Sequence, residues 1–174
     1  MPTTDEVIRR VKAKALDNDR YSGCAQAVLG ALQEEFGIGN VQSFKSATAL
    51  SGGVARRGET CGALIGALMA LGLVLGREQM SDTPAYRIAM DTSQDVVEGF
   101  KAALQKQFDF HTTLSTTLCR DIQERIYGRS FDLADEKEQQ AFLAAGGHTE
   151  TGCLKTCAIA AEVAAQKLLA LIES

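Results

Sequence analysis

The chain has 174 residues, 45% of them hydrophobic, and a formal charge of −4 at neutral pH. That is enough apolar material for one buried core, so a single domain over residues 1–174 is expected. The scattered Lys and Arg residues create no field that would gather a nucleic acid, and the apolar run at 62–76 is shorter than the roughly 18 residues of a membrane-spanning helix.

Thr3-Thr4-Asp5-Glu6 has the arrangement of a capping box, and Val7, Ile8, Val11 and Leu16 follow at helical spacing. A first helix is therefore expected to about residue 17. No apolar segment follows Arg9-Arg10, so the N-terminus does not read as an export signal and a cytoplasmic location is expected. Ser22 is the expected N-cap of a second helix whose apolar face carries Ala25, Val28, Leu29 and Leu32, with Gly37 as its stop.

A short helix is expected over 43–50, broken by Gly52-Gly53. The next begins near Thr60 and ends around Gly76. Its small residues Gly62, Ala63, Gly66, Ala67 and Ala70 leave a smooth side that another backbone can approach, within one chain or between two copies in a homo-oligomer. Thr83-Pro84 opens a long amphipathic helix to about 108, and further helices are expected over 115–127 and 133–145. The last follows Thr151. No segment alternates as a strand does, so the expected architecture is all-α: an antiparallel bundle of four or five main helices with short accessory ones.

The chemistry lies in the five cysteines. Without an export signal a disulfide framework is a poor explanation, which raises metal binding or redox work. Cys24, Cys61 and Cys153 each follow a Ser or Thr that can cap a helix. In a first helical turn the unpaired N–H groups and the positive end of the dipole favour thiolate, which is both nucleophile and metal ligand. Cys119 is expected inside a helix, with Arg120 about 100° away around it. Cys153 and Cys157, spaced i,i+4, share a helical face and can share a metal or form a local thiol pair. Each cysteine also has a plainer reading as a small buried hydrophobe, strongest for Cys157.

Other groups carry less. His111 and His148 are the only histidines and are read mainly as loop residues, with metal ligation as the alternative. Arg56 and Arg57 are read as a solvated pair with anion binding as the alternative, and Glu59 as a helix-start residue with proton transfer from Cys61 as the alternative. Met69, Met80 and Met90 read as packing or surface residues. There is no Cys-x-x-Cys, no Cys-x-x-Cys-His and no nucleotide-binding glycine loop preceded by a strand.

The segments SGCAQAVLGAL, GGVARRGETCGALIGALMALGL, TTLCRDI and GCLKTCAIAAEV together resemble the C_GCAxxG_C_C family from about Tyr21 to Val163. The resemblance is most specific at the Cys-Gly-Ala-x-x-Gly element, Cys61 to Gly66. It maps the four family cysteines onto Cys24, Cys61, Cys119 and one of the last pair, with Cys153 the better match and Cys157 a substitute or auxiliary. It implies a helical bundle, a redox role and a bound prosthetic group such as an iron-sulfur cluster.

The leading expectation is a cytoplasmic electron-transfer module in which Cys24, Cys61, Cys119 and Cys153 converge at one end of the bundle. There they would bind an iron-sulfur cluster or another thiophilic metal and exchange electrons with an unidentified redox partner. The alternatives are a metal-free thiol-disulfide protein in which Cys61 attacks and a neighbour resolves, and a non-catalytic helical interaction protein with buried thiols.

Overall fold

The computed structural model describes residues 2–172. Among them the secondary structure is all-α: α1 (Thr4–Asp19), α2 (Cys24–Phe36), α3 (Val41–Ser46), a 3-10 turn at Thr48–Leu50, α4 (Gly62–Leu75), α5 (Thr83–Phe108), α6 (Cys119–Tyr127), α7 (Glu136–Ala144) and α8 (Cys153–Ile172). The only pairing of extended backbone among these residues is an isolated antiparallel bridge, Thr60 with Leu118. No helix of the described residues is long and apolar enough to cross a membrane.

The capping box of α1 forms as expected: Glu6 N–H donates to Thr3 Oγ1 and Thr3 N–H to Glu6 Oε2. The helix runs two residues beyond the expected end, and its buried stripe is Val7, Val11, Ala15 and then Asp19. Several other starts differ from expectation. Ser22 does not cap α2; it takes a left-handed φ of 65°, and Gly23 occupies the N-cap. Asn40 caps α3 through Gln42 and Ser43, so the stretch expected at 43–50 divides into α3 and the 3-10 turn. Asp82, one residue before Thr83, accepts from Ala85 N–H and caps α5, while Asp135 caps α7. Residues 115–118 are not helical, because the bridge to Thr60 holds this segment extended and α6 begins only at Cys119.

The expected antiparallel arrangement holds for some pairs and fails for one that matters. Lys12 pairs with Glu162 at 2.6 Å and Arg20 with Glu150 at 3.3 Å, so α1 and α8 run in opposite directions. Arg10 pairs with Glu35 while Asn18 donates to the Ala27 carbonyl, so α1 and α2 do too. In contrast, Gly62 lies against Cys24 and Gly66 against Ala25 and Leu29, which makes α2 and α4 parallel. With α1 antiparallel to both α2 and α8, the starts of α2, α4 and α8 fall at the same end. The core between them is apolar and built from small and branched residues, including Leu29, Leu32, Leu64, Leu71, Ile159 and Phe100.

Candidate functional site

The four cysteines of the motif each sit where a helix starts. Cys24, Cys119 and Cys153 are the first residues of α2, α6 and α8, and Cys61 is the N-cap of α4. For Cys119 this corrects the expectation of a mid-helix position. The bridge at Thr60 and Leu118 brings two of these starts together: Cys61 N–H donates to the Thr117 carbonyl at 2.8 Å and Cys119 N–H to the Glu59 carbonyl at 2.6 Å. Cys24 and Cys153 arrive from α2 and α8. Cys24, Cys119 and Cys153 line one cavity of about 540 Å³, and Cys61, 5% exposed, lies buried at the start of α4.

The two glycines of the Cys61–Gly66 element explain how α4 approaches α2. A Cβ on Gly62 would stand 2.5 Å from Cys24 Sγ, and one on Gly66 would stand 2.3 Å from the Ala25 carbonyl oxygen. Both are contacts that a side chain cannot make. Gly62 therefore makes room for a sulfur and Gly66 for a backbone, while Ala63 and Ala67 are fully buried between them.

The loop entering this element is strained. Gly52, Gly53, Val54, Ala55 and Arg56 are five consecutive residues with φ between 51° and 70°. A left-handed conformation costs a residue with a side chain about 1–2 kcal/mol, and most for a β-branched residue such as Val54. Hydrogen bonds hold the turn in place, among them Ala55 N–H to Ala49 at 2.7 Å and Glu59 N–H to Gly53 at 2.9 Å. The result puts Gly52, Ala55 and Arg56 on the cavity wall, whereas Arg57 stays exposed. Glu59 pairs with Arg120 at 3.0 Å on the surface.

The electrostatics reverse one expectation. Placement at helix starts was expected to favour thiolates, yet burial dominates and pushes all five thiols up. Cys153 is raised to about 12, with the Tyr127 hydroxyl bond acting in the opposite direction and the charges of Cys61 and Asp19 adding to the rise. For Cys61, burial is again the largest cause, opposed by the nearby backbone N–H groups of Leu64 and Ala63 at the start of α4. The helix N-terminus is present and acts in the expected direction, but removal from water outweighs it. Burial thus holds these sulfurs toward the neutral thiol form.

The cavity also holds residues that motif reading missed. Asp19 is 1% exposed, and among the described residues neither carboxylate oxygen has a hydrogen-bond donor. The Nδ1 of His148 lies 3.6 Å from Oδ2 and has no hydrogen-bond partner among the described residues. The signal was in the sequence: Asp19 continues the four-residue stripe of Val7, Val11 and Ala15. Gln123, 2% exposed, donates to Cys119 Sγ at 3.7 Å and accepts from Phe131 N–H at 2.9 Å. Tyr127 accepts from Cys153 N–H at 2.9 Å. His148 lines the cavity, and His111 lies outside it. Cys157 is fully buried one turn behind Cys153 within the apolar core. Met80 and Met90 are exposed, and Met69 packs partly buried against the core.

Among the described residues, no three cysteine, histidine or carboxylate side chains come close enough together to hold one metal ion. The fold and site thus define an all-α protein with cysteines gathered at one end of a helical bundle. The chain belongs to the C_GCAxxG_C_C family, described as "Putative redox-active protein", whose model matches residues 22–167. Neither a curated protein nor a solved structure is matched by the chain.

Proposed function

We propose that this chain is a single-domain cytoplasmic redox protein in which Cys24, Cys61, Cys119 and Cys153 hold an iron-sulfur cluster and serve an unidentified electron-transfer partner. The observation that carries this reading is the gathering of four cysteines, from the starts of four different helices, around one buried end of the bundle. Four thiolates are the usual donor set of such a cluster. A single tetrahedral ion needs all its thiolate ligands within about 2.3 Å of one centre. A multi-iron group spans more widely separated sulfurs.

The chain's own residues suit this role. Buried thiols that repel one another when ionised stay protonated until a cation compensates them, so metal binding releases protons and stabilises the fold. The starts of α2, α4, α6 and α8 direct positive dipole ends toward the sulfurs and offset net negative charge there. Gln123 hydrogen-bonds the sulfur of Cys119, and the Tyr127 hydroxyl fixes the start of α8 by accepting from Cys153 N–H, a means of tuning and orienting thiolate donors. When bound, the cluster supplies reversible one-electron transfer. Cys157 stands one turn behind as an auxiliary thiol.

Anaerobic purification followed by iron, sulfide and visible-absorbance measurements tests the proposal. Stoichiometric iron and sulfide, lost in Cys61→Ala, is the expected result. Anaerobic protein that carries neither iron nor visible absorbance, and takes up neither on reconstitution with iron and sulfide, would overturn it.

A further inference from the structure

Among the cysteines, one pair is set apart by backbone geometry. Cys24 Sγ rests against the α-carbon of Gly62, so closely that a Cβ there would stand 2.5 Å from the sulfur. The residue before Gly62 is Cys61, the N-cap of the same helix, α4. Cys24 Sγ and Cys61 therefore meet at one helix start, and no residue separates Cys61 from the glycine that the Cys24 sulfur touches. They differ in access: Cys24 is partly exposed and lines the cavity, whereas Cys61 is 5% exposed behind it.

We propose that in the metal-free protein Cys24 and Cys61 form a dithiol-disulfide pair whose oxidant is a small disulfide entering the cavity, and that Gly62 permits their approach. This rests on the redox reading of the same cysteine site. Cys24 loses its proton and its sulfur attacks the small disulfide, forming a mixed disulfide and releasing one small thiol, which takes up that proton. Cys61 then loses its proton and attacks Cys24 Sγ, forming the Cys24–Cys61 bond and releasing the second thiol. Two S–H bonds of the protein are lost and one S–S bond is gained. The two electrons and two protons leave on the small molecule, now reduced to two thiols. Cys61 sits at the N-terminal end of α4, where unpaired N–H groups and the positive dipole end favour negative charge on its sulfur, first as the attacking thiolate and, in the reverse direction, as the leaving one.

The test is oxidation of the full-length, reduced, chelator-treated protein with oxidised glutathione, followed by non-reducing peptide mapping. One new disulfide joining Cys24 to Cys61, with Cys119, Cys153 and Cys157 still free, is the expected product. Cys61→Ser should stop at a glutathione adduct on Cys24. Gly62→Ala should slow closure of the internal disulfide by about tenfold, because the added carbon pushes Cys24 Sγ off the helix start. If Gly62→Ala does not fold, Cys61→Ser decides alone. A disulfide between any other two cysteines, an internal disulfide on Cys24 in Cys61→Ser, no internal disulfide at all, or undiminished closure in Gly62→Ala overturns the proposal. Iron and sulfide analysis reads the cluster separately. Metal-free protein that cannot be loaded yet links Cys24 to Cys61 removes the cluster and keeps the pair, and loadable protein that links other cysteines does the opposite.

Discussion

The first turn of α4 and the rest of the same helix use the same small residues for different ends. At Gly66 the missing side chain brings two backbones together, and Ala63, Ala67 and Ala70 beside it are buried in an apolar core. At Gly62 the space is filled by a sulfur, and the cavity beside it holds raised thiols and a buried Asp19 whose oxygens have no hydrogen-bond donor among the described residues. One region is arranged for stability. The other accepts buried polar groups and a left-handed loop, both unfavourable in themselves, and such strain collects at functional sites.

Substitutions along the helix should break this contrast if it is wrong. The largest effect is expected for Gly66→Ala, whose Cβ would meet the rigid Ala25 carbonyl at 2.3 Å; α2 and α4 must part, at a cost of about 3 kcal/mol in urea unfolding. Iodoacetamide labelling of Cys24 under native conditions should change little in any fraction that stays folded. At the cysteine end the signature is pH. The folded thiols titrate above their unfolded values, so their contribution is complete below about pH 8.5 and is lost as pH rises toward the folded value, about 12 for Cys153. Metal-free stability should therefore fall on the alkaline side, by up to about 1.4 kcal/mol per pH unit for each buried thiol, and Cys157→Ala should flatten that slope. A flat denaturation midpoint between pH 8.5 and 10.5 would show that burial does not control these thiols.

Two smaller effects sharpen the comparison. Gly72 lies in the exposed part of α4, and a methyl group added there would meet nothing within 4 Å, so Gly72→Ala should stabilise by about 0.5–1 kcal/mol, opposite in sign to Gly66→Ala. Asp19→Asn removes a negative charge that raises Cys24, Cys61, Cys153 and Cys157. The alkylation profiles of Cys24 and Cys153 should then shift to lower pH by a few tenths of a unit; an unchanged profile would show that Asp19 does not act on the sulfurs.

Much of this was legible beforehand, for local reasons. Helical periodicity, the Thr3 capping box and the small-residue face of α4 depend on neighbours within a few positions, and the structure forms each of them. Helix starts at Cys24, Cys61 and Cys153 were close to expectation, although the N-caps of α2 and α4 are Gly23 and Cys61 and not Ser22 and Thr60. Cys119 was misplaced because the device that ends the extended segment is a bridge from Leu118 to Thr60, a residue far back along the chain. Asp19 went unnoticed because it lies outside every cysteine motif, although its four-residue register with Val7, Val11 and Ala15 marked it as inward-facing.

By itself the sequence determined an all-α chain and a family motif, because helix periodicity and the identity of the cysteines are properties of local order. Only the tertiary structure decided that α2 and α4 run parallel and that four helix starts meet at one end. It also decided the state of the sulfurs. A helix N-terminus is visible in a sequence, but the desolvation that overrides it comes from residues distant along the chain that pack together and exclude water.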